Sequence, residues 1–120
     1  MIDACEAAWP REACGWITDA GVHVARGGGV DAFAFADAEL LALAEAYRRG
    51  PAPRLLFHSH PRGPATMSAA DRAALAPGGV VLHALPHLIV GVRAGRAEAA
   101  TLHRWAGDQP VLAAWLERAA

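Results

Sequence analysis

Lysine and asparagine are absent from this 120-residue chain, and all eleven basic side chains are arginines. With alanine making up about a quarter of the residues, the bias is one that a GC-rich bacterial genome imposes on codon choice. Cysteine is scarce. Cys5 and Cys14 are the only two and lack C-x-x-C spacing, which excludes a disulfide framework and a cysteine-built structural metal site. Two free thiols in a reducing cytoplasm are expected, with a Cys5–Cys14 disulfide as the lesser alternative. No apolar run approaches the roughly 18 residues of a membrane span. The N-terminus has no basic segment followed by an apolar stretch, so a secretory signal is not expected and a cytoplasmic location is. Charge of one sign is also missing. A formal net charge of -1 removes the electrostatic argument for nucleic acid or an anionic membrane as partner.

What remains is a chain with 54% hydrophobic residues, enough to exclude general disorder and to build one domain, 1–120, around its own core. The pattern predicts a short helix over 2–9, stopped at Trp9-Pro10 because a residue before proline avoids helical angles. Strands follow at 12–18 and 22–26, joined by a turn at Asp19-Ala20-Gly21. After a break at Gly27-Gly28-Gly29, residues 32–36 alternate as a strand. A helix runs from a cap at Asp37 to Arg49, with Leu40, Leu41, Leu43, Ala44 and Tyr47 as its apolar face. Residues 54–59 form an apolar run that suits a central strand. Beyond it the spacing predicts a helix over 69–75, strands over 80–84, 88–93 and 97–105, and a C-terminal helix from Gln109 to Ala119. Strands in series with a few helices indicate an α/β sandwich with a mixed sheet.

The most informative segment is His58-Ser59-His60-Pro61, with Ser68 and Asp71 downstream. On an extended strand, residues two apart project from one face, so both imidazoles reach the same place. Two imidazoles and a nearby carboxylate make three ligands and leave a fourth position for water, the layout of a catalytic zinc site. Each piece also has a plainer reading. The histidines could be satisfied core residues. Ser68-Ala69-Ala70-Asp71 has the form of a helix capping box, which is compatible with Asp71 also facing a metal. Glu12, sharing a strand face with Cys14 and Trp16, could be a solvated strand end. His23, His83, His87 and His103 are scattered and suggest surface or core positions without a role. The four tryptophans suggest packing residues.

Taken together, Pro10-Arg11-Glu12-Ala13-Cys14-Gly15, His58-Ser59-His60-Pro61, Ser68 and Asp71 resemble the JAMM (MPN+) zinc metalloprotease family in its small prokaryotic form, over roughly residues 2–105. The resemblance implies a single-domain, cytidine-deaminase-like α/β sandwich with a mixed β-sheet flanked by helices. It implies Zn2+ held by His58, His60 and Asp71. Glu12 would act as general base on the metal-bound water, and Ser68 would stabilise the oxyanion. The activity implied is hydrolysis of an amide or isopeptide bond at the Gly-Gly-type tail of a ubiquitin-like or sulfur-carrier protein, with a homodimer left open. Met67 stands where the family usually has proline, and the short segment after His60 leaves no room for large substrate-gripping insertions, which puts ubiquitin itself in doubt. The alternatives are a non-catalytic MPN interaction scaffold and a phage-tail or cell-wall peptidase of the same fold. A RadC-like protein is disfavoured by Ser59 in place of asparagine.

Overall fold

The structure, a computed structural model, describes residues 1–25, 37–62, 64–81 and 84–117, and the backbone alone over 37–40. Helix α1 (Ile2–Ala8) stops before Trp9-Pro10, as the proline requires. Strands β1 (Cys14–Thr18) and β2 (Gly21–Val24) form the expected hairpin. Helix α2 (Asp37–Arg49) leads to β3 (Leu55–His60), and α3 (Ala69–Leu75) is followed by a 3-10 turn at Pro77–Gly79. Strands β4 (His87–Arg93), β5 (Arg96–Ala106) and β6 (Gln109–Glu117) are the last elements among the described residues. The six strands form one sheet in the order β2-β1-β3-β4-β5-β6. Only β3 and β4 are parallel, and α3 lies in the crossover that such a pair needs.

The mixed α/β architecture is the one expected, and three elements depart from expectation. Residues 109–117 are a strand rather than a helix. Gly107, at φ +64°, begins a two-residue connection that brings Gln109 opposite Ala106. Pairing then satisfies the outer edge of β5, and that outweighs the helical preference of Leu, Ala and Glu. The strand expected over 80–84 does not form among its described residues, Val80, Val81 and Ala84. Strand β3 is already flanked by β1 and β4 along its length, so the segment has no free central edge to join. The expected apolar face of α2 is only partly right: Leu43 is buried against Trp16 and Leu56, whereas Leu41 and Tyr47 are exposed. The break at Gly27–Gly29, the strand over 32–36, His83 and the Leu40 side chain lie outside the described residues.

The sheet separates two kinds of interior. On one face Phe57 and Val90 pack with Ala13, Val92 and Ala100 against Cys5 of α1. Burying a side chain such as Phe57 contributes about 1.5–3 kcal/mol. On the other face Trp16 and Leu56 meet Leu43 of α2, and Cys14 meets Leu75 of α3. Gly15 lets β1 and β2 approach: a Cβ there would lie 2.0 Å from the carbonyl oxygen of His23 and 2.9 Å from the Phe57 ring. Of the tryptophans expected to pack, Trp16 is buried, while Trp9 and Trp115 are exposed.

Candidate metal centre

Strand β3 is the central support of the site. Its alternation sends Leu56, His58 and His60 to the α2 and α3 side, and pairing with β1 sets His58 opposite Cys14. Asp71 arrives from α3, and its position depends on the helix start. Ser68 Oγ accepts from the Asp71 backbone N–H at 3.0 Å, and Asp71 Oδ2 accepts from the Ser68 N–H at 3.0 Å. The capping-box reading of this segment is realised, and the reciprocal cap aims the carboxylate at the histidines, the placement that the ligand reading requires.

There the donor atoms converge. His58 Nε2 and His60 Nε2 are 3.0 Å apart. Asp71 Oδ2 is 2.8 Å from His60 Nε2, and Asp71 Oδ1 is 3.2 Å from His58 Nε2. Ligand atoms of the three residues lie within 4.8 Å of one another. Tetrahedral zinc with bonds of about 2.0–2.1 Å would separate its ligand atoms by roughly 3.3 Å. The tautomers agree with this spacing. His60 Nδ1 is 2.9 Å from the Pro64 carbonyl oxygen, which can only accept, so Nδ1 carries a proton and the neutral ring presents a lone pair at Nε2. A lone pair 2.8 Å from a carboxylate oxygen needs a cation between them, either a proton or a metal ion. Two nitrogens and a carboxylate suit a zinc-like divalent ion, so the residues present fit such a group.

The electrostatics favour the metal-ready state of His58. Burial lowers its pKa, keeping the ring neutral despite the Asp71 carboxylate. For His60, burial opposes charge, but the hydrogen bonds to Asp71 and Pro64 prevail and its pKa is raised. Burial alone would raise the Asp71 pKa; the two histidines and the Ser68 N–H overcome that and hold it well below the ordinary carboxylate range.

Glu12 is buried at 6% exposure, and its charge acts on His60, so it belongs to the same neighbourhood rather than to a solvated strand end. The segment beside it is tied down by the residue between the two histidines. The Ala13 N–H donates to Ser59 Oγ at 2.8 Å, and the Ser59 N–H donates to the Ala13 carbonyl at 2.9 Å. Ser68 is exposed at the head of α3; since its Oγ accepts from Asp71, its hydroxyl proton is not used by that bond.

Sequence reasoning missed the support behind the ligands. His87 is buried at 1% exposure, with Nε2 2.5 Å from His58 Nδ1. On β5, Thr101 Oγ1 donates to the Ala65 carbonyl at 2.5 Å and lies 2.9 Å from His103 Nε2, pinning the loop that supplies the Pro64 carbonyl. The sequence signal for both was weak. It becomes readable only once β4 and β5 are known to lie beside β3 in this register. His23 stacks on Trp16 with ring centroids 4.1 Å apart. The cysteines are free and buried, as expected, and burial pushes the Cys5 thiol up to about 11.

A six-stranded mixed sheet with two imidazoles and a carboxylate gathered at the end of its central strand defines a JAB-like α/β domain with a His-His-Asp group able to hold a metal ion. The sequence profile described as "Prokaryotic homologs of the JAB domain" matches residues 1–106, and the chain belongs to that family. A solution structure of a Desulfitobacterium hafniense protein has a similar fold, with TM-score 0.66, 21% identity, 94% of this chain covered and 82% of that one. A solution structure from Salinibacter ruber has TM-score 0.55 and 27% identity, covering 98% of this chain and 82% of that one. A search of curated proteins returned no match. Among the described residues, no helix is long and apolar enough to cross a membrane.

Proposed function

We propose that the protein is a zinc metallopeptidase that hydrolyses an amide or isopeptide bond at the C-terminal tail of a small ubiquitin-like or sulfur-carrier protein. The observation that carries this reading is the convergence of His58 Nε2, His60 Nε2 and Asp71 within 3.2 Å, a donor set and spacing that a zinc-like ion fits. Bound there, zinc supplies an acidified water and a Lewis acid for the scissile carbonyl. The chain supplies the rest. Glu12 takes the proton of the attacking water on its carboxylate and delivers it to the leaving amine, which balances the hydrolysis. The Ser68 hydroxyl donates to the carbonyl oxygen as negative charge develops on it. Family membership supports the reading, since JAB domains include metalloproteases. A cleft of about 410 Å³ adjoins Pro61 and Pro64, walled by Trp9, Arg62, Arg93 and Trp115. Such a cleft suits a narrow, extended tail along the loop that follows His60.

The test is incubation of zinc-loaded protein with Gly-Gly-terminated carrier proteins, each joined to a reporter, with mass spectrometry locating any cut. Glu12→Gln should retain stoichiometric zinc while turnover falls by about 10²–10⁴. Uncut reporters together with a zinc-free purified protein would leave the scaffold reading in its place.

A further inference from the structure

We infer that His87 is a positioning residue for the metal centre: its Nε2 accepts the Nδ1 proton of His58 and fixes the ring in the tautomer and plane that turn His58 Nε2 toward the ion. The inference rests on the zinc reading above and goes beyond the ligand set. His87 opens β4 and is paired with Leu56, so the alternation of the parallel strands puts its ring on the same face as His58. The two rings meet edge to face, with centroids 4.7 Å apart and planes at 62°. Both side chains are at or below 1% exposure.

Two ring nitrogens 2.5 Å apart must be one N–H and one lone pair. If His58 Nε2 is the ligand atom, the neutral His58 ring carries its proton on Nδ1. His87 Nε2 is then the acceptor, and the His87 proton lies on its own Nδ1. The order of protons along the pair is determined from the metal outward. Metal-binding histidines usually have a carboxylate, carbonyl or water in this place. An imidazole performs the same orientation without adding a further buried anion to a neighbourhood that already holds Asp71 and Glu12, which would be costly at a position with so little access to water. His60 is held by a different element, through the Pro64 carbonyl. The two ligand rings are thus anchored independently, one by β4 and one by the loop after β3.

The experiment compares zinc affinity, by competition with a chromophoric chelator, in the wild type, His87→Leu, His87→Gln and His58→Ala, with visible spectra of the cobalt-loaded forms. His87→Leu should weaken zinc binding by about 10–100-fold and alter the cobalt bands. His87→Gln, whose amide oxygen can accept the His58 proton, should recover most of the affinity. Histidine 15N spectra of the zinc-loaded wild type add a readout that needs no variant and decides the matter if His87→Leu does not fold. His58 and His87 should both appear as Nδ1–H tautomers. Unchanged affinity and cobalt bands in a folded His87→Leu, or an Nε2–H tautomer at His87, would overturn the inference. Zinc binding that survives His58→Ala would instead overturn the zinc reading beneath it, so the two failures are distinguishable.

Discussion

Between Phe57 and His58 the sheet changes character within one residue. Phe57 faces α1 and an interior of Val90, Val92 and alanines; His58 faces α2 and α3 and an interior that also holds Glu12, Asp71, His87, Thr101 and His103. The first interior is held by contact area, which is non-directional and tolerant. The second has to match donors to acceptors, because a buried polar group costs free energy unless it is hydrogen-bonded. One strand serves both. The apolar side stabilises the sheet, and the polar side uses that rigidity to hold ligand atoms close together.

The sharpest way to break this comparison is to substitute adjacent residues of β3. His58→Ala should abolish zinc retention, read by metal analysis of the purified protein, with the fold still detectable by circular dichroism. Phe57→Ala should cost about 3–5 kcal/mol in denaturant unfolding, with zinc stoichiometry unchanged in the folded fraction. Loss of metal in both variants to the same degree would mean that the two faces are not separable.

Acid should act on the polar face of the metal-free protein. Burial lowers the pKa values of His58, His87 and His103 below the ordinary histidine value of about 6.5. From about 6.5 down to those lowered values, the unfolded chain binds protons that the native chain refuses, so stability falls as pH drops. His60 works in the opposite sense. Its raised pKa adds stability that is full below 6.5 and lost as pH rises through the raised value. Asp71, with its pKa lowered from 3.8, keeps its contribution until the pH falls below that value. Three imidazoles outweigh one, so the melting temperature of the apoprotein should decrease from about pH 7 to about pH 5. A melting temperature constant or increasing over that range contradicts the balance.

Smaller effects separate roles within the site and within α2. Ser68→Ala removes a cap and should cost about 1 kcal/mol of stability. If the hydroxyl also donates to the oxyanion, kcat should fall by about 10²–10³ with zinc retained. A stability loss with unchanged kcat would leave Ser68 as a cap alone. Leu41→Gln should change stability by no more than about 0.5 kcal/mol, because the side chain is 69% exposed, whereas Leu43→Ala should cost about 2–5 kcal/mol. Equal costs at the two positions would place the buried face of α2 elsewhere.

Much of the site was legible because its information is local. His58 and His60 share a face by the period of a strand, and Ser68 and Asp71 are joined by the four-residue cap of a helix, so spacing alone brings each pair together. Glu12 could be placed beside them only through resemblance, since nothing within its own segment requires it. The misreadings have the opposite origin. Residues 109–117 carry helix-forming side chains, yet the open edge of β5 decided their conformation. Val80 and Val81 have strand composition, yet neither they nor Ala84 find a free central edge beside β3.

The chain's own order of residues determined the side-chain types of the candidate metal site, the spacing that gathers them and the two-sided pattern of β3, because side-chain chemistry and backbone period require nothing beyond the neighbouring residues. Tertiary structure alone decided that β4 and β5 lie next to β3 in this register, and with it that His87 reaches His58 and that Thr101 holds the loop oriented toward His60. Strand pairing joins residues distant in sequence, and the free energy that selects one pairing over another comes from the assembled sheet rather than from any segment within it.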